Sequence, residues 1–166
     1  MAKDEKDQGQ EYRARSVALR LLARREHSRY ELALKLRQRQ IDVEVIEAVL
    51  DEYENEGWLD DHRFADVYAR QRMDSGYGPL KVLAELQQRG VNHRPDCLAE
   101  ASDDDWCWRA IRLREKRFGL GCVDNDLPEK LRQARFLNRR GFSALHVERA
   151  LGAQLPDDPD EEAVPG

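Results

Sequence analysis

The sequence predicts an all-α protein of three tandem three-helix, helix-turn-helix-like repeats. Three observations point there. A short phrase recurs as LRQRQI (36–41), LQQRGV (86–91) and LNRRGF (137–142), which places arginines at 39, 89 and 140, spaced 50 and 51 residues apart. Apolar residues recur at the helical period ahead of each phrase, in YELALKL, PLKVLAEL and EKLRQARFL, and after two of them, in VEVIEAVLDEY and ALHVERALG. No stretch alternates apolar and polar residues between turns, as a half-buried strand would.

Taken in order, residues 1–13 read as a disordered N-terminal tail. Repeat one, 14–59, is expected to hold helices near 14–26, 29–39 and 43–56. Repeat two, 60–103, holds them near 61–74, 79–89 and 93–101. Repeat three, 104–151, holds them near 105–117, 128–140 and 144–151, with FGLGCVDNDLP as an extended loop. Residues 152–166 read as an acidic disordered tail. In repeat two, Gly76–Pro79 is a turn with proline at a first helical position, where its missing N–H costs nothing. Gly90 and Gly141 suit the left-handed position after a helix; Gln40 holds that place in repeat one, where a side chain costs about 1 kcal/mol.

The stretch EGWLDDHRFA (56–65) tests whether this is an enzyme. Gly57 is expected to end a helix, and Trp58 and Leu59 to pack against the next repeat. Asp60 or Asp61 then caps the helix that follows, as a carboxylate accepting backbone N–H groups does. Asp104 and Asp105 are expected to act the same way. That pairing puts Phe64 and Trp108 at equivalent core positions and leaves Tyr77 as the exposed aromatic. No further acids or histidines converge by spacing, the four histidines show no zinc pattern, and no phosphate loop or nucleophile elbow occurs. The residues read as a binding protein without catalytic, cofactor or metal residues.

Charge is segregated. The net charge of −5 breaks into −2 over 1–12, +7 over 13–41, −9 over 42–61, +3 over 62–94, −5 over 95–105, +6 over 106–151 and −5 over 152–166. Such blocks arise from solvated helix faces, or from a polyanionic partner, which arginine suits best. Three cysteines without paired spacing fit reduced thiols and a cytoplasmic protein. No apolar run suits a membrane span, and MAKDEKDQGQEY contains no leader-like stretch.

The run GWLDDHRFA (57–65), GYGP (76–79), LAELQQRGV (83–91) and RRGF (139–142) together resemble the RecX family, regulators of the RecA recombinase, over residues 14–151. Gln40 and the long loop of repeat three depart from the pattern. The resemblance implies an elongated, curved, monomeric body. It implies binding to RecA and the RecA nucleoprotein filament, weak non-specific DNA contact, no membrane, and inhibition of recombinase, ATPase and co-protease activity. It also implies structural roles for Gly57, Trp58, Leu59, Asp60, Asp61, Phe64, Gly78, Pro79 and Gly90. The alternative from the residues is a tandem helix-turn-helix DNA-binding regulator acting without RecA. Candidate partner-binding residues are Arg63, Arg70, Arg72, Lys81, Arg89 and Tyr77 in repeat two, extended by Arg24, Arg25, Arg29, Arg37 and Arg39. Arg70 and Lys81 are expected to share one groove, with Arg132, Arg135, Arg139 and Arg140 of repeat three as the fallback.

Overall fold

The computed structural model describes residues 2–154, and among them the chain is all helix and turn. In order come α1 (Ala2–Arg24), α2 (Arg29–Gln38), α3 (Val43–Asn55), α4 (Asp61–Asp74), α5 (Pro79–Gln88), α6 (Asp96–Ala99), α7 (Asp103–Phe118), α8 (Leu127–Arg139) and α9 (Ala144–Gly152). They gather into two compact units that cut across the three repeats: Met1–Gln71 with Leu83–Ala99, and Arg72–Val82 with Glu100–Gly166.

Two elements depart from expectation. Residues 2–13 continue α1 instead of forming a tail, and the part nearest the core is held. Gln10 is buried and its side-chain oxygen accepts the Asp42 N–H at 2.9 Å, where the start of α3 leaves donors unpaired. The third helix of repeat two shrinks to the single turn α6. Pro95 disfavours helix at Arg94, and Ser102 already caps α7, so only one turn fits between them. Of the acidic tail, residues 155–166 lie outside the described residues.

The recurring phrase is a helix-ending turn, made three times. Ile41, Val91 and Phe142 donate backbone N–H groups to the carbonyls of Leu36, Leu86 and Leu137 at 3.4, 2.9 and 3.3 Å. Gln40, Gly90 and Gly141 donate to Arg37, Gln87 and Asn138, and all three residues have positive φ (63°, 76° and 95°). This is the pairing that closes a helix through a left-handed residue, and the apolar residues at its two ends are buried each time.

The arginine carbonyl beside each left-handed residue also takes a donor. In unit one, the buried Ser28 hydroxyl donates to the Arg89 carbonyl at 2.7 Å while it caps α2, so the start of α2 sits on the turn ending α5. A Cβ at Gly90 would lie 2.5 Å from Tyr30 Cβ. In unit two the Gly78 N–H donates to the Arg140 carbonyl at 2.7 Å and Leu80 to Gly141 at 3.0 Å, so the start of α5 sits likewise on the turn ending α8. A Cβ at Gly141 would meet Lys81 Cβ at 2.4 Å. In repeat one, among the described residues, the Arg39 carbonyl receives only the Arg13 guanidinium, at 2.7 Å, and Gln40 is exposed. Glycine is demanded where a helix start rests on the turn, and Gln40 stands where none does.

The aspartate pair divides its work. Asp60 accepts the His62 and Arg63 N–H groups at 2.9 and 3.1 Å and caps α4, whereas Asp61 accepts the Arg29 N–H at 2.7 Å, at the start of α2. In repeat three the cap is Ser102, not Asp104 or Asp105. Ser102 and Asp105 bond reciprocally, and Asp104 instead pairs with Arg149 at 3.0 Å. Asp60 therefore matches Ser102, 42 residues on. Phe64 then matches Trp106: both are buried, while Trp108 is 59% exposed. Leu59 is in the core of unit one; Trp58, expected to pack, is exposed.

Unit one is built on Ala14, Ala18, Leu32, Leu36, Ile46, Leu50 and Tyr53, each worth at most about 1.5–3 kcal/mol for the larger side chains. Beside them lies a buried histidine. His27 Nδ1 is 3.0 Å from the Arg25 carbonyl and Nε2 is 3.2 Å from Lys35 Nζ. A carbonyl on one side and an ammonium on the other require a neutral ring that donates from Nδ1 and accepts at Nε2. Burial pushes its pKa below the ordinary 6.5. The unfolded chain therefore takes up a proton that the folded ring refuses, and stability falls as pH drops below about 6.5. The urea midpoint is expected to fall between pH 7 and 5.5, and His27→Gln, which keeps one donor and one acceptor, to flatten that slope. An unchanged slope in the variant removes His27 as its cause.

Unit two packs Trp106, Phe142 and His146 together, with ring centroids 6.4–6.5 Å apart. Its deepest polar group is Arg114, fully buried and, among the described residues, without an ion-pair partner. It donates to the side chain of Gln133 at 2.8 Å and to the carbonyls of Ala150, Ala153 and Gly121 at 3.0, 2.7 and 2.7 Å. One guanidinium thus ties α8, the end of α9 and the α7–α8 loop together, offsetting part of its desolvation cost by hydrogen bonds.

Candidate partner-binding surface

Several candidate arginines are committed to holding unit one together. Arg29 reaches Glu47, Asp51 and Glu54 on α3 at 2.5, 2.8 and 3.0 Å. Burial pulls the Arg29 pKa down, but its bonds to these carboxylates outweigh that and hold it protonated. Arg63 holds Glu26 at 2.6 Å and the carbonyls of Gly57 and Trp58. Arg89 lies over the Tyr68 ring at 4.7 Å and 3.8 Å from Glu31. Arg25 pairs with Glu31 and Arg70 with Asp66, each at 2.8 Å. Among the described residues, the exposed Arg24, Arg37 and Arg39 make no ion pair.

Unit two presents a different arrangement. Tyr77, expected to be the exposed aromatic, is half-buried in the turn before α5. Three cations face its ring: Arg72 at 3.7 Å, Arg140 at 4.8 Å and Lys81 at 5.3 Å from the centroid. The residue that joins Lys81 is therefore Arg72, not Arg70. Two positions along α4 decide this, because they turn the side chain by about 200° on a helix of 3.6 residues per turn.

The array continues along α8. Arg140 also lies 5.2 Å from the Phe136 ring, Phe136 meets Phe118 edge-on at 5.3 Å, and Arg117 and Arg132 cover these rings at 5.0 and 4.9 Å. Five cations and three aromatics form one ladder. Cation–ring contacts of this kind are worth roughly 0.5–2 kcal/mol each. Glu129 engages Arg132, which holds the Glu129 carboxyl at about 2. Among the described residues Lys81, Arg117 and Arg140 make no ion pair. Because cations already cover the ring faces, the ladder is suited less to stacking bases than to meeting a row of phosphates or carboxylates.

Sequence reasoning found Tyr77, Arg72 and Lys81, and Arg132 and Arg140 as fallback, but missed Phe118, Phe136 and Arg117. Arg132, Phe136 and Arg140 follow one another at four-residue steps on one helix, a signal readable from spacing. Phe118, at the end of another helix, offers no such signal.

The family model described as RecX, first three-helix domain, matches residues 14–52, and that of the second three-helix domain matches 60–94. A regulatory protein RecX of Halorhodospira halophila is 48% identical over 145 residues, 87% of this chain and 89% of that protein. The chain belongs to the RecX family. A regulatory protein RecX of Xanthomonas axonopodis pv. citri is 42% identical over 84% of this chain and 86% of its own. The fold is shared with the crystal structure of RecX from Lactobacillus salivarius, with a TM-score of 0.69 at 19% identity, covering 87% of this chain and 96% of that one. A second crystal structure, of a regulatory protein RecX, gives 0.71 at 23% identity over 87% and 74%. RecX relatives of this chain are thus named as regulatory proteins, and no helix among the described residues is long and apolar enough to cross a membrane.

Proposed function

We propose that this RecX-family protein binds RecA and RecA–DNA filaments and restrains their recombinase, ATPase and co-protease activities, with the ladder of unit two as a main contact. Kinship to regulatory RecX proteins along most of the chain carries the reading. The ladder supports a location for it, because both a DNA backbone and an acidic protein face offer closely spaced anions. Since Arg63 and Arg89 are engaged internally, the proposed centre of contact is Lys81 and Arg140 beside Tyr77.

RecA's DNA-dependent ATPase, titrated with this protein, tests the reading. Wild type is expected to inhibit. Lys81→Glu with Arg140→Glu is expected to raise the half-inhibitory concentration tenfold or more, a loss of about 1.4 kcal/mol. Inhibition should also weaken with salt, since exposed charges are screened beyond about 8 Å at physiological ionic strength. A folded double variant that inhibits like wild type moves the contact elsewhere. Nanomolar, sequence-selective duplex binding without RecA would instead favour an independent DNA-binding regulator.

A further inference from the structure

Helices α8 and α9 lead away from the turn at Gly141 as the two walls of an open groove of about 610 Å³, wholly within unit two. Leu131, Ala134, Val147 and Leu151 form its apolar floor, and Leu131 is still 44% exposed. One turn before it on α8, Leu127 is exposed as well. Arg135 stands on the α8 wall and Glu148 on the α9 wall, and among the described residues neither makes an ion pair. These two sit equally far from the turn. Arg135 is four residues before the end of α8 at Arg139, and Glu148 is four after the start of α9 at Ala144. Leu131 and Gly152 are matched in the same way, eight residues out, and nothing lies within 4 Å of a Cβ added at Gly152.

We propose that this face binds a second copy of the chain, about a two-fold axis running out along the groove from the turn. A two-fold interface must complement itself, because the same patch serves both copies. This rotation lays α8 of each copy along α9 of the other, so residues equally far from the turn come together. Arg135 of one copy then meets Glu148 of the other, at two symmetric places. Leu131 meets the open space over Gly152, and the two apolar floors share one core. An axis across the groove would instead set α8 on α8, with Arg135 and Arg139 facing their own kind, which like charge disfavours. Opposite charges at matched positions, and a large residue matched to a gap, name a second copy over a foreign helix, for which the groove need only be apolar. Two helices each about 10 Å across, with the 13 residues of α8, make a face of roughly 20 by 20 Å. That is about half of the ~800 Å² that each partner buries in a stable complex, so the pairing is weak and concentration-dependent. It replaces the monomer that the family resemblance implies, and it does not depend on what the ladder binds.

Sedimentation velocity of the full-length chain, over a wide range of concentration, tests the pairing. Wild type is expected to pass from monomer towards dimer as concentration rises, and to dissociate as salt screens the charges. Arg135→Glu alone sets carboxylate against carboxylate twice, and Glu148→Arg alone sets guanidinium against guanidinium twice. Each is expected to weaken pairing about tenfold or more. An equal mixture of the two variants makes both contacts complementary again, so it should recover dimer to near the wild-type level. Both side chains are exposed, so helix content should not change, and circular dichroism checks this. A wild-type chain that stays monomeric throughout overturns the proposal, as do single reversals that associate like wild type. A mixture that pairs no better than its components overturns it too, because the contact then lies on another face.

Discussion

Arg114→Ala is expected to lower the stability of unit two by about 3–5 kcal/mol, read as loss of urea midpoint followed by the fluorescence of buried Trp106. The cost arises from what the guanidinium leaves behind. The carbonyls of Gly121, Ala150 and Ala153 and the side chain of Gln133 all lose a charged donor, in a region where the arginine itself is fully buried. Arg114→Met separates packing from polarity. It refills most of the volume but satisfies no oxygen, so it should recover less than half of the loss. Full recovery by methionine would show that Arg114 matters for its bulk.

Gly78→Ala is expected to come next, at about 2–3 kcal/mol. A Cβ there would stand 2.5 Å from the carbonyl carbon and oxygen of Gly141 and from the nitrogen of Phe142. These are backbone atoms, so no rotamer change relieves the clash. The helix start must lift off the turn, which breaks the Gly78–Arg140 and Leu80–Gly141 hydrogen bonds and carries Tyr77 and Lys81 away from Arg140. Gly121→Ala is the control: its φ is not in the left-handed region and nothing lies within 4 Å of its added Cβ. Thermal denaturation of the two variants side by side decides the matter, and equal midpoints would refute the account.

The helix-ending turns were legible because one local rule, a left-handed residue between buried apolar ones, writes the same letters three times. Asp60 was legible for the same reason: its partners are two and three residues away. What the sequence hid depends on distant neighbours. Ser102, not Asp104, caps α7, and choosing the more acidic pair displaced the alignment by two residues and put Trp108 in the core in place of Trp106. Helix α1 extends to Ala2 in part because Gln10 finds an unpaired amide 32 residues later. On the surface the ladder joins side chains from four separate segments, so spacing within any one of them shows only a fragment. Arg29 and Arg63 look identical to Arg140 in the sequence, and only folding reveals that their charge is spent inside unit one.

The order of the chain in the two units bears on synthesis. Residues 72–82 are made before 83–99 yet belong to unit two, whose remainder starts at residue 100. Unit one is therefore complete only after a loop of foreign chain has left the ribosome. That loop, with Tyr77 and its glycines, must wait for Arg140 and Gly141, some sixty residues later, or roughly 3–12 s at ordinary elongation speed. During that interval the nascent protein displays an aromatic turn with no turn to rest on, so slow codons within residues 83–140 would lengthen the time in which it is open to chaperones or proteases.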